Sequence, residues 1–353
     1  MKKIFLIITL FFSYLLSEEI NNSMIVEDEI YDLNLDEINI TKEEIKSNIL
    51  DTNDEYSLDI AIILDKNKFF KFVPSLLNSF NAYTIKKDIN YKIKLFNKEK
   101  NITKELNDIT QKYKYVFIFL TNSDEVGILN NYPDNYFFIP TLNKRQTSNK
   151  IGNHIFFGGI NYKNQVLKLN NYINDYTIVI YENSDLSKYI TTVVDETLFE
   201  AHKVVKYPIK YNSSIFNNTF VYINTNVVNT AQILSNFTYK KIETKAIFST
   251  QLNYTPFIFS LTNKADVDNL IIANSIFNIN PIIEDNNKNL DSDIDFNWLN
   301  FTTATLLNVA YNLEIEEDIN FLNDFNLYMF FNQINYKTNL YKIFNNGFIK
   351  IEN

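Results

Sequence analysis

The feature that most constrains the fold is an alternation of apolar runs with segments of helical periodicity, which begins at Ser57. The run LDIAIILD has the length of a buried strand, and KFFKFVPSLLNSFNAYTI, which follows it, repeats its apolar residues at helical spacing. The same succession recurs in YKIKLF, NITKELNDITQKY and YVFIFL, and again later in the chain. Repeated β-α units in a chain of 353 residues predict an α/β protein with two doubly wound lobes.

Three of the predicted strands end in small polar residues. The clusters are Thr121-Asn122-Ser123, Asn183-Ser184 and Asn224-Thr225-Asn226. Each cluster can cap the helix that follows it, and capping alone accounts for the residue types. Each would also lie at the carboxyl edge of a parallel sheet, where α/β proteins bind ligands. Both interpretations stay open, and the recurrence of the clusters favours a ligand cleft.

The first residues have the layout of a secretory signal peptide. Lys2 and Lys3 precede an apolar stretch from Ile4 to Leu16, and acidic residues follow. We predict that residues 1–17 are a signal peptide, cleaved after Ser17. The alternative is an uncleaved anchor helix, but the stretch is shorter than the roughly 20 residues that span a bilayer. An exported chain without cysteine suits a bacterial periplasm, with no membrane span after removal of the signal.

Residues 18–56 form a predicted acidic arm. They hold 13 of the 42 acidic residues and only two basic ones, whereas the body that follows is balanced. Thr41 and Glu44 have the spacing of a capping box, which predicts a short helix from Lys42 to about Leu50. The arm is interpreted as a solvated leader or, alternatively, as an element that docks on a basic partner. Nothing in the sequence is basic enough to predict binding of nucleic acid.

The sequence contains no arrangement typical of catalysis. It has no cysteine, and its two histidines, His154 and His202, lack the spacing of a metal site. No serine lies between glycines as in a nucleophile elbow, and no phosphate-binding loop is present. The pair Gly158-Gly159 is interpreted as a tight turn or, alternatively, as an anion site. We therefore predict no enzyme, no metal and no cofactor.

The order of the elements resembles the type I periplasmic binding proteins, the leucine/isoleucine/valine-binding group. IFLTNSDEVGIL is similar to that family's strand and polar loop before its third helix, and FFIPTLNKRQT is similar to its next strand and Pro-Thr turn. IVIYENSDLSKYI resembles the opening of the second lobe, and TATLLNVAYNL resembles the late helix of the first. INTNVVNTAQIL, STQLNYTP and NLIIANSIF are also similar to the binding-protein-like domain of envelope lipoproteins that activate penicillin-binding proteins.

The resemblance implies two α/β lobes that are joined by three crossovers and enclose a ligand cleft. It places residues 57–148 and 270–325 in the first lobe. Residues 149–269 and 326–353 then form the second lobe.

The resemblance also implies which residues contact a ligand. Thr121 and Ser123 would donate to a ligand carboxylate, Thr141 would lie on the neighbouring loop, and Tyr181 would form a wall of the second lobe. With the polar strand ends, the predicted ligand-binding set is Thr121, Asn122, Ser123, Thr141, Tyr181, Asn183, Asn224 and Gln251. Members that bind amino acids place an acidic residue where STQLNYTP offers only Gln251 and Asn253. An amino-acid ligand is disfavoured, because a neutral amide pairs poorly with a desolvated ammonium group.

Two functions follow from the sequence. The first is a periplasmic solute-binding protein that closes on a small polar ligand, and the alternative is an envelope scaffold or regulator, for example of peptidoglycan synthesis, that binds a protein partner. Asn21, Asn39 and Asn101 lie in sequences similar to bacterial N-glycosylation acceptors, which predicts glycosylation in a host with that machinery. The sequence makes no prediction of oligomeric state.

Overall fold

The computed structural model describes residues 39–41, 57–98, 102–147 and 150–351. The predicted signal peptide, most of the acidic arm and the helix predicted within it lie outside these residues, as do Asn21 and Asn101. None of the helices in the described ranges is long and apolar enough to cross a membrane.

Strands make up much of the described chain and belong to two sheets. In chain order they are β1 Asn39–Thr41, β2 Ser57–Leu64, β3 Asn90–Asn97, β4 Tyr115–Ile118, β5 Tyr136–Ile139, β6 Ile155–Phe157, β7 Thr177–Tyr181, β8 His202–Lys206, β9 Phe220–Asn224, β10 Ala246–Ser249, β11 Leu270–Asn274, β12 Phe321–Leu322, β13 Leu327–Phe330, β14 Gln333–Asn335, β15 Asn339–Phe344 and β16 Gly347–Ile351.

Helices connect most of these strands. The α-helices are α1 Lys66–Phe69, α2 Val73–Lys87, α3 Ile102–Ile109, α4 Tyr162–Asn170, α5 Asp185–Thr197, α6 Ser213–Phe216, α7 Val227–Tyr239, α8 Phe257–Leu261, α9 Lys264–Val267, α10 Pro281–Asn289 and α11 Trp298–Glu314. Short 3-10 helices span Phe70–Phe72, Ser123–Asn131, Lys144–Gln146 and Gln251–Asn253. The helix predicted after the first polar cluster is thus a 3-10 helix, with Asn122 as its N-cap.

The first sheet has the strand order β1-β3-β2-β4-β5-β6-β14-β13-β12. Its centre is parallel, and β2 and β3 pair along their whole length, from Ser57 opposite Asn90 to Leu64 opposite Asn97. All four residues of β4 are buried, as expected for a strand with helices on both faces of the sheet. The first lobe is this sheet with its helices, which include α10 and α11 packed on α2.

The second sheet has the strand order β16-β15-β11-β10-β9-β7-β8. The five strands from β11 to β8 are parallel, whereas β15 and β16 form an antiparallel hairpin that pairs with β11. Two apolar clusters cover its two faces, one around Val166 and Ile190 and the other around Ile233 and Leu234. This sheet and its helices are the second lobe, so the prediction of two doubly wound lobes is confirmed.

The chain passes between the sheets three times, as the resemblance implied. It leaves the first sheet after β6, returns after β11 and leaves again after β14. The predicted lobe boundaries at 148, 269 and 325 differ from these crossings, because β6, β13 and β14 belong to the first sheet and β11 to the second. The misplaced strands are short, at three to five residues, so no periodicity in the sequence assigns them to a sheet.

Gly158 and Gly159 lie where segments of the chain approach each other closely. Neither has a positive φ, and no turn is formed there. A Cβ on Gly158 would lie 2.8 Å from Cδ1 of Leu306, and one on Gly159 would lie 2.2 Å from the carbonyl carbon of Leu142. Their N–H groups donate to the carbonyls of Ile139 and Leu142 at 2.9 and 3.0 Å. Close packing therefore explains the pair, and the predictions of a tight turn and of an anion site are both wrong.

Three residues of the predicted arm belong to the first sheet. Asn39–Thr41 pair antiparallel with β3 and form one edge of the sheet. Thr41, predicted to cap a helix, is the last residue of this strand. These three residues of the predicted arm are therefore an edge strand of the first lobe.

Candidate functional site

The carboxyl edge of the first sheet carries a hydroxyl group and a cation side by side. The ammonium group of Lys68, in α1, donates to Oγ1 of Thr121 at 3.0 Å. The hydroxyl of Thr141, on the next loop, donates to the Leu120 carbonyl at 2.5 Å and so ties the two loops together. An ammonium group beside a hydroxyl group suits an anionic or polar ligand group.

The other two first-lobe residues of the predicted set belong to the start of the 3-10 helix. Oδ1 of Asn122 accepts from the N–H of Asp124 at 3.0 Å, so this side chain caps the helix. Ser123 is the first residue of the helix and is half-buried. The capping interpretation holds for Asn122, whose side-chain oxygen is engaged within its own lobe.

At the end of β7 the second lobe presents Tyr181 and a carboxylate that is already hydrogen-bonded. Tyr181 is half-buried and Asn183 is exposed. Between them, Oε2 of Glu182 accepts from Nδ2 of Asn226 at 2.8 Å and from Nδ2 of Asn229 at 2.7 Å. Two amide donors thus hold the carboxylate, which leaves it less able to pair with a ligand cation.

Buried polar side chains concentrate where β9, β10 and β11 end. Nδ2 of Asn253 donates to Oγ of Ser249 at 2.8 Å and to the Thr225 carbonyl at 3.1 Å. Nδ2 of Asn224 donates to Oγ1 of Thr191 at 3.1 Å. We call the set Gln165, Asn224, Ser249, Thr250, Gln251, Asn253 and Ser275 the second-lobe polar cluster.

Gln165 of α4 connects two of the strand ends within this cluster. Its Nε2 donates to Oε1 of Gln251 at 2.6 Å and to Oγ of Ser275 at 3.0 Å. Its Oε1 accepts from the backbone N–H of Gln251 at 3.0 Å. Because Gln165 is fully buried, these bonds fix the loop after β10 against α4.

The cluster has hydrogen-bonding capacity that the described residues do not use. Three buried side-chain oxygens have no partner among those residues: Oδ1 of Asn224, Oγ1 of Thr250 and Oδ1 of Asn253. Buried polar atoms in folded proteins are nearly always paired, with protein, water or ligand. These buried atoms therefore keep hydrogen-bonding capacity for ordered water or for a polar guest.

An aromatic contact joins the two lobes directly. The ring of Tyr254, just after the polar cluster, lies 5.4 Å from the ring of Phe296 and 4.1 Å from that of Phe348 in β16. Phe296 belongs to the loop between α10 and α11 in the first lobe. The lobes are thus in apolar contact beside the polar edge.

The loop that carries Phe296 is anchored on the first lobe. Oγ of Ser292 donates to the Ser75 carbonyl at 2.9 Å, and Nδ2 of Asn300 donates to Oγ of Ser75 at 2.7 Å. Burial, followed by the charge of Glu284, raises the pKa of Asp295 in this loop to about 6. A carboxylate with a raised pKa therefore lies next to the contact between the lobes.

A separate cavity of about 510 Å³ lies at the crossovers. It is lined by Asn143, Lys144, Arg145, Asn161, Asn164, Phe330, Phe331, Gln333, Ile334, Asn335 and Tyr336. None of the eight predicted ligand-binding residues lines it. We call it the crossover cavity, because its walls come from the loop after β5, the start of α4 and the β13–β14 hairpin.

Both histidines have protein partners. Nε2 of His154 lies 3.2 Å from the Leu129 carbonyl. Nε2 of His202 lies 2.8 Å from Oδ1 of Asp195, and although burial lowers its pKa, the bonds to the Glu200 carbonyl and Asp195 raise it overall. No group of three or more His, Asp or Glu side chains in the described part of the chain could hold a metal ion.

The structure separates the predicted set into its two lobes. Asn224 and Gln251 belong to the second-lobe polar cluster, and Thr121 and Thr141 lie on adjoining loops of the first lobe. No hydrogen bond among the described residues joins a predicted residue of one lobe to one of the other. The assignment of these eight residues to one ligand site therefore stays a prediction.

Two residues that contribute to these strand ends were not predicted from the sequence. Lys68 could have been found because Asp65 ends a strand and begins a helix, which brings the next basic residues to the carboxyl edge. Gln165 is the polar member of a buried helical face that otherwise consists of Tyr162, Val166 and Leu169. A polar residue at such a position indicates a buried hydrogen-bond network.

Solved structures share this fold, whereas no family model and no curated protein matches the sequence. A putative branched-chain amino acid ABC transporter protein from Rhodospirillum rubrum superposes with a TM-score of 0.63 and 8% identity, over 84% of this chain and 100% of that chain. A branched-chain amino acid ABC transporter protein from Thermus thermophilus, with bound valine, gives 0.61 and 8%, over 85% and 96%. The C-domain of LpoA from Haemophilus influenzae, a regulator of PBP1A, gives 0.56 and 12%, over 83% and 100%.

These similarities concern the fold. The chain has the two-lobed architecture of the type I periplasmic binding proteins, and both resemblances seen in the sequence are confirmed at this level.

Proposed function

We propose that the chain is a non-catalytic binding protein that holds a small polar ligand between the carboxyl edges of its two sheets. The observation that carries this proposal is the set of three buried side-chain oxygens in the second-lobe polar cluster that have no partner among the described residues. Leaving such an atom unpaired costs about 1–3 kcal/mol. A polar ligand that pairs with these atoms would recover part of that cost on binding.

The first lobe would supply the opposing surface. Lys68 and Thr121 offer a cation and a hydroxyl at its carboxyl edge, and Ser123 lies beside them in sequence. In the second lobe Glu182 is held by two amides, and Gln251 and Asn253 are neutral. These groups favour a neutral or anionic polar ligand over one that presents an ammonium group.

A thermal-shift screen of the mature chain against periplasmic solutes tests the proposal. A ligand at a hundred times its dissociation constant should add about 2.7 kcal/mol to the free energy of unfolding. The variant Ser123→Ala/Tyr181→Ala should abolish that gain and still fold, since both side chains are only half-buried. Ser214→Ala/Tyr239→Ala, which makes the same two changes at exposed positions, is the control. An unchanged ligand shift in the first variant would remove these residues from the site.

A second candidate function is the docking of an envelope protein. It is favoured by the contact between Tyr254 and Phe296, because lobes already in apolar contact have less freedom to open and close on a solute. The fold of the LpoA C-domain is compatible with it. If no solute stabilises the wild-type chain, co-purification from cross-linked envelopes becomes the deciding measurement.

We also propose that the chain acts in the periplasm. The proposal is supported by the charged and apolar layout of residues 1–17 and by the absence of cysteine. N-terminal sequencing of the protein from periplasmic fractions should give a chain that begins at Glu18. A chain that keeps Met1 and stays with the membrane would contradict it.

A further inference from the structure

The crossover cavity differs from the proposed interlobe site in the charge of its lining. Among the described residues that line it, Lys144 and Arg145 are charged and none is acidic. Arg145 is the only arginine in a chain of 353 residues that has more acidic than basic side chains. The cavity is therefore electropositive, although the protein as a whole is not.

The guanidinium group of Arg145 is available to a ligand. It is exposed, and no acceptor for it is found among the described residues. The neighbouring ammonium group of Lys144 donates to the Phe331 carbonyl at 2.7 Å and so holds the hairpin tip. Arginine binds carboxylate and phosphate groups through two parallel hydrogen bonds, so an unpaired guanidinium at a cavity favours such an anion.

The loop that carries Arg145 is held in place by its neighbours. Oδ1 of Asn143 accepts from the N–H of Arg145 at 3.1 Å, and Oε1 of Gln146 accepts from the N–H of Asn143 at 2.7 Å, which completes a capping box. Nδ2 of Asn143, itself 5% exposed, donates to the Gly159 carbonyl at 3.0 Å. The backbone at Arg145 is thus fixed before any ligand binds.

One wall of the cavity is aromatic, and its most exposed member has an unusual backbone. Phe331 has a φ of 49° and forms a two-residue turn with Asn332, whose φ is 61°. The equivalent turn between β15 and β16 uses Asn345 and Asn346, which tolerate positive φ well. A phenylalanine that is 88% exposed buries little apolar surface and so contributes little to the stability of the fold. Because a positive φ is energetically unfavourable for phenylalanine, its presence here points to a role in binding.

We propose that the crossover cavity binds a small aromatic carboxylate, with the carboxylate on Arg145 and the ring against Phe331 and Tyr336. The volume of about 510 Å³ is in the range of small-molecule sites. Asn164 and Asn335 also line the cavity and can bind further polar groups of the ligand. This site is separate from the interlobe site and does not depend on the function proposed for it.

Calorimetric titration of the mature chain with benzoate and with benzamide tests the site. Benzoate should bind about tenfold more tightly than benzamide, its neutral analogue, because a charged hydrogen bond is lost with the amide. Arg145→Gln should remove this difference, and Arg145→Lys should restore part of it. Lys210→Gln, at an exposed position away from the cavity, should leave both affinities unchanged.

A second variant keeps the test independent of folding. Phe331→Asn should raise the melting temperature, because asparagine suits a positive φ, and should still weaken benzoate binding. Equal affinities for benzoate and benzamide in the wild type, or an unchanged benzoate affinity in Arg145→Gln, would overturn the proposal. So would inorganic phosphate that binds as tightly as benzoate and is unaffected by Phe331→Asn. Loss of benzoate binding in Ser123→Ala/Tyr181→Ala would place the anion between the lobes and overturn the cavity site alone.

Discussion

The two sheets present carboxyl edges that look alike in sequence and differ in the structure. In the first lobe, Asn122 caps a helix, Thr141 donates to a carbonyl and Thr121 accepts from Lys68. In the second lobe, the polar cluster keeps three buried oxygens without a partner among the described residues, whereas the 3-10 helix of the first edge keeps one, Oε2 of Glu125. Some polar residues at strand ends are thus used in hydrogen bonds that stabilise the fold, and others keep buried atoms unpaired. Only the residues with unpaired atoms indicate a ligand.

A pair of matched substitutions gives the largest effect expected from this difference. Thr141→Val removes a hydroxyl that donates at 2.5 Å, so the free energy of unfolding should fall by about 1 kcal/mol. Thr250→Val removes a buried hydroxyl that has no partner among the described residues, so the free energy of unfolding should rise by about 1 kcal/mol. Urea unfolding of both variants measures the two changes.

The comparison between the two edges depends on these two changes in the free energy of unfolding having opposite signs. If Thr250→Val also destabilises the chain, the hydroxyl has a partner such as ordered water, and the contrast between the edges is lost. If Thr250→Val stabilises the chain but weakens a ligand found in the solute screen, the spare capacity serves binding.

A pH-dependent effect is expected at the contact between the lobes. Because the pKa of Asp295 is raised to about 6, its ionisation opposes folding, and stability should fall as the pH rises from about 4 through 6. Asp295→Asn should be more stable than the wild type at pH 7.5 and equal to it near pH 4. Melting temperatures across this range measure the effect, with Asp291→Asn at an exposed position as the control. A constant difference at every pH would show that the charge of Asp295 is not the cause.

The sequence predicted the lobes because long buried strands leave a clear signal. The eight residues of β2 and the helical spacing in α2 are readable without tertiary information. The crossings were less predictable, since β6 and β14 have three residues each and lie side by side in the sheet although they are far apart in the sequence. Strand pairing over a long sequence separation is a property of the fold that local patterns do not contain.

The candidate site was predictable to a smaller degree. The polar clusters were located, but the sequence could not show that Asn122 is used in a cap while Asn224 keeps a free oxygen. The role of Gly158-Gly159 was misread, because the closeness of Leu142 and Leu306 arises from residues distant in the chain. The crossover cavity combines three separate segments, so no single motif announces it.

The path of the chain also determines when folding can finish during synthesis. β6 pairs with β5, and β11 pairs with β10, but the other edge of β6 stays open until β14 is synthesised, and that of β11 until β15 is synthesised. Ribosomes add about 5–20 residues per second, which leaves a period of seconds in which neither lobe is complete. A nascent chain in that period exposes open sheet edges, which bind readily to chaperones or to other chains.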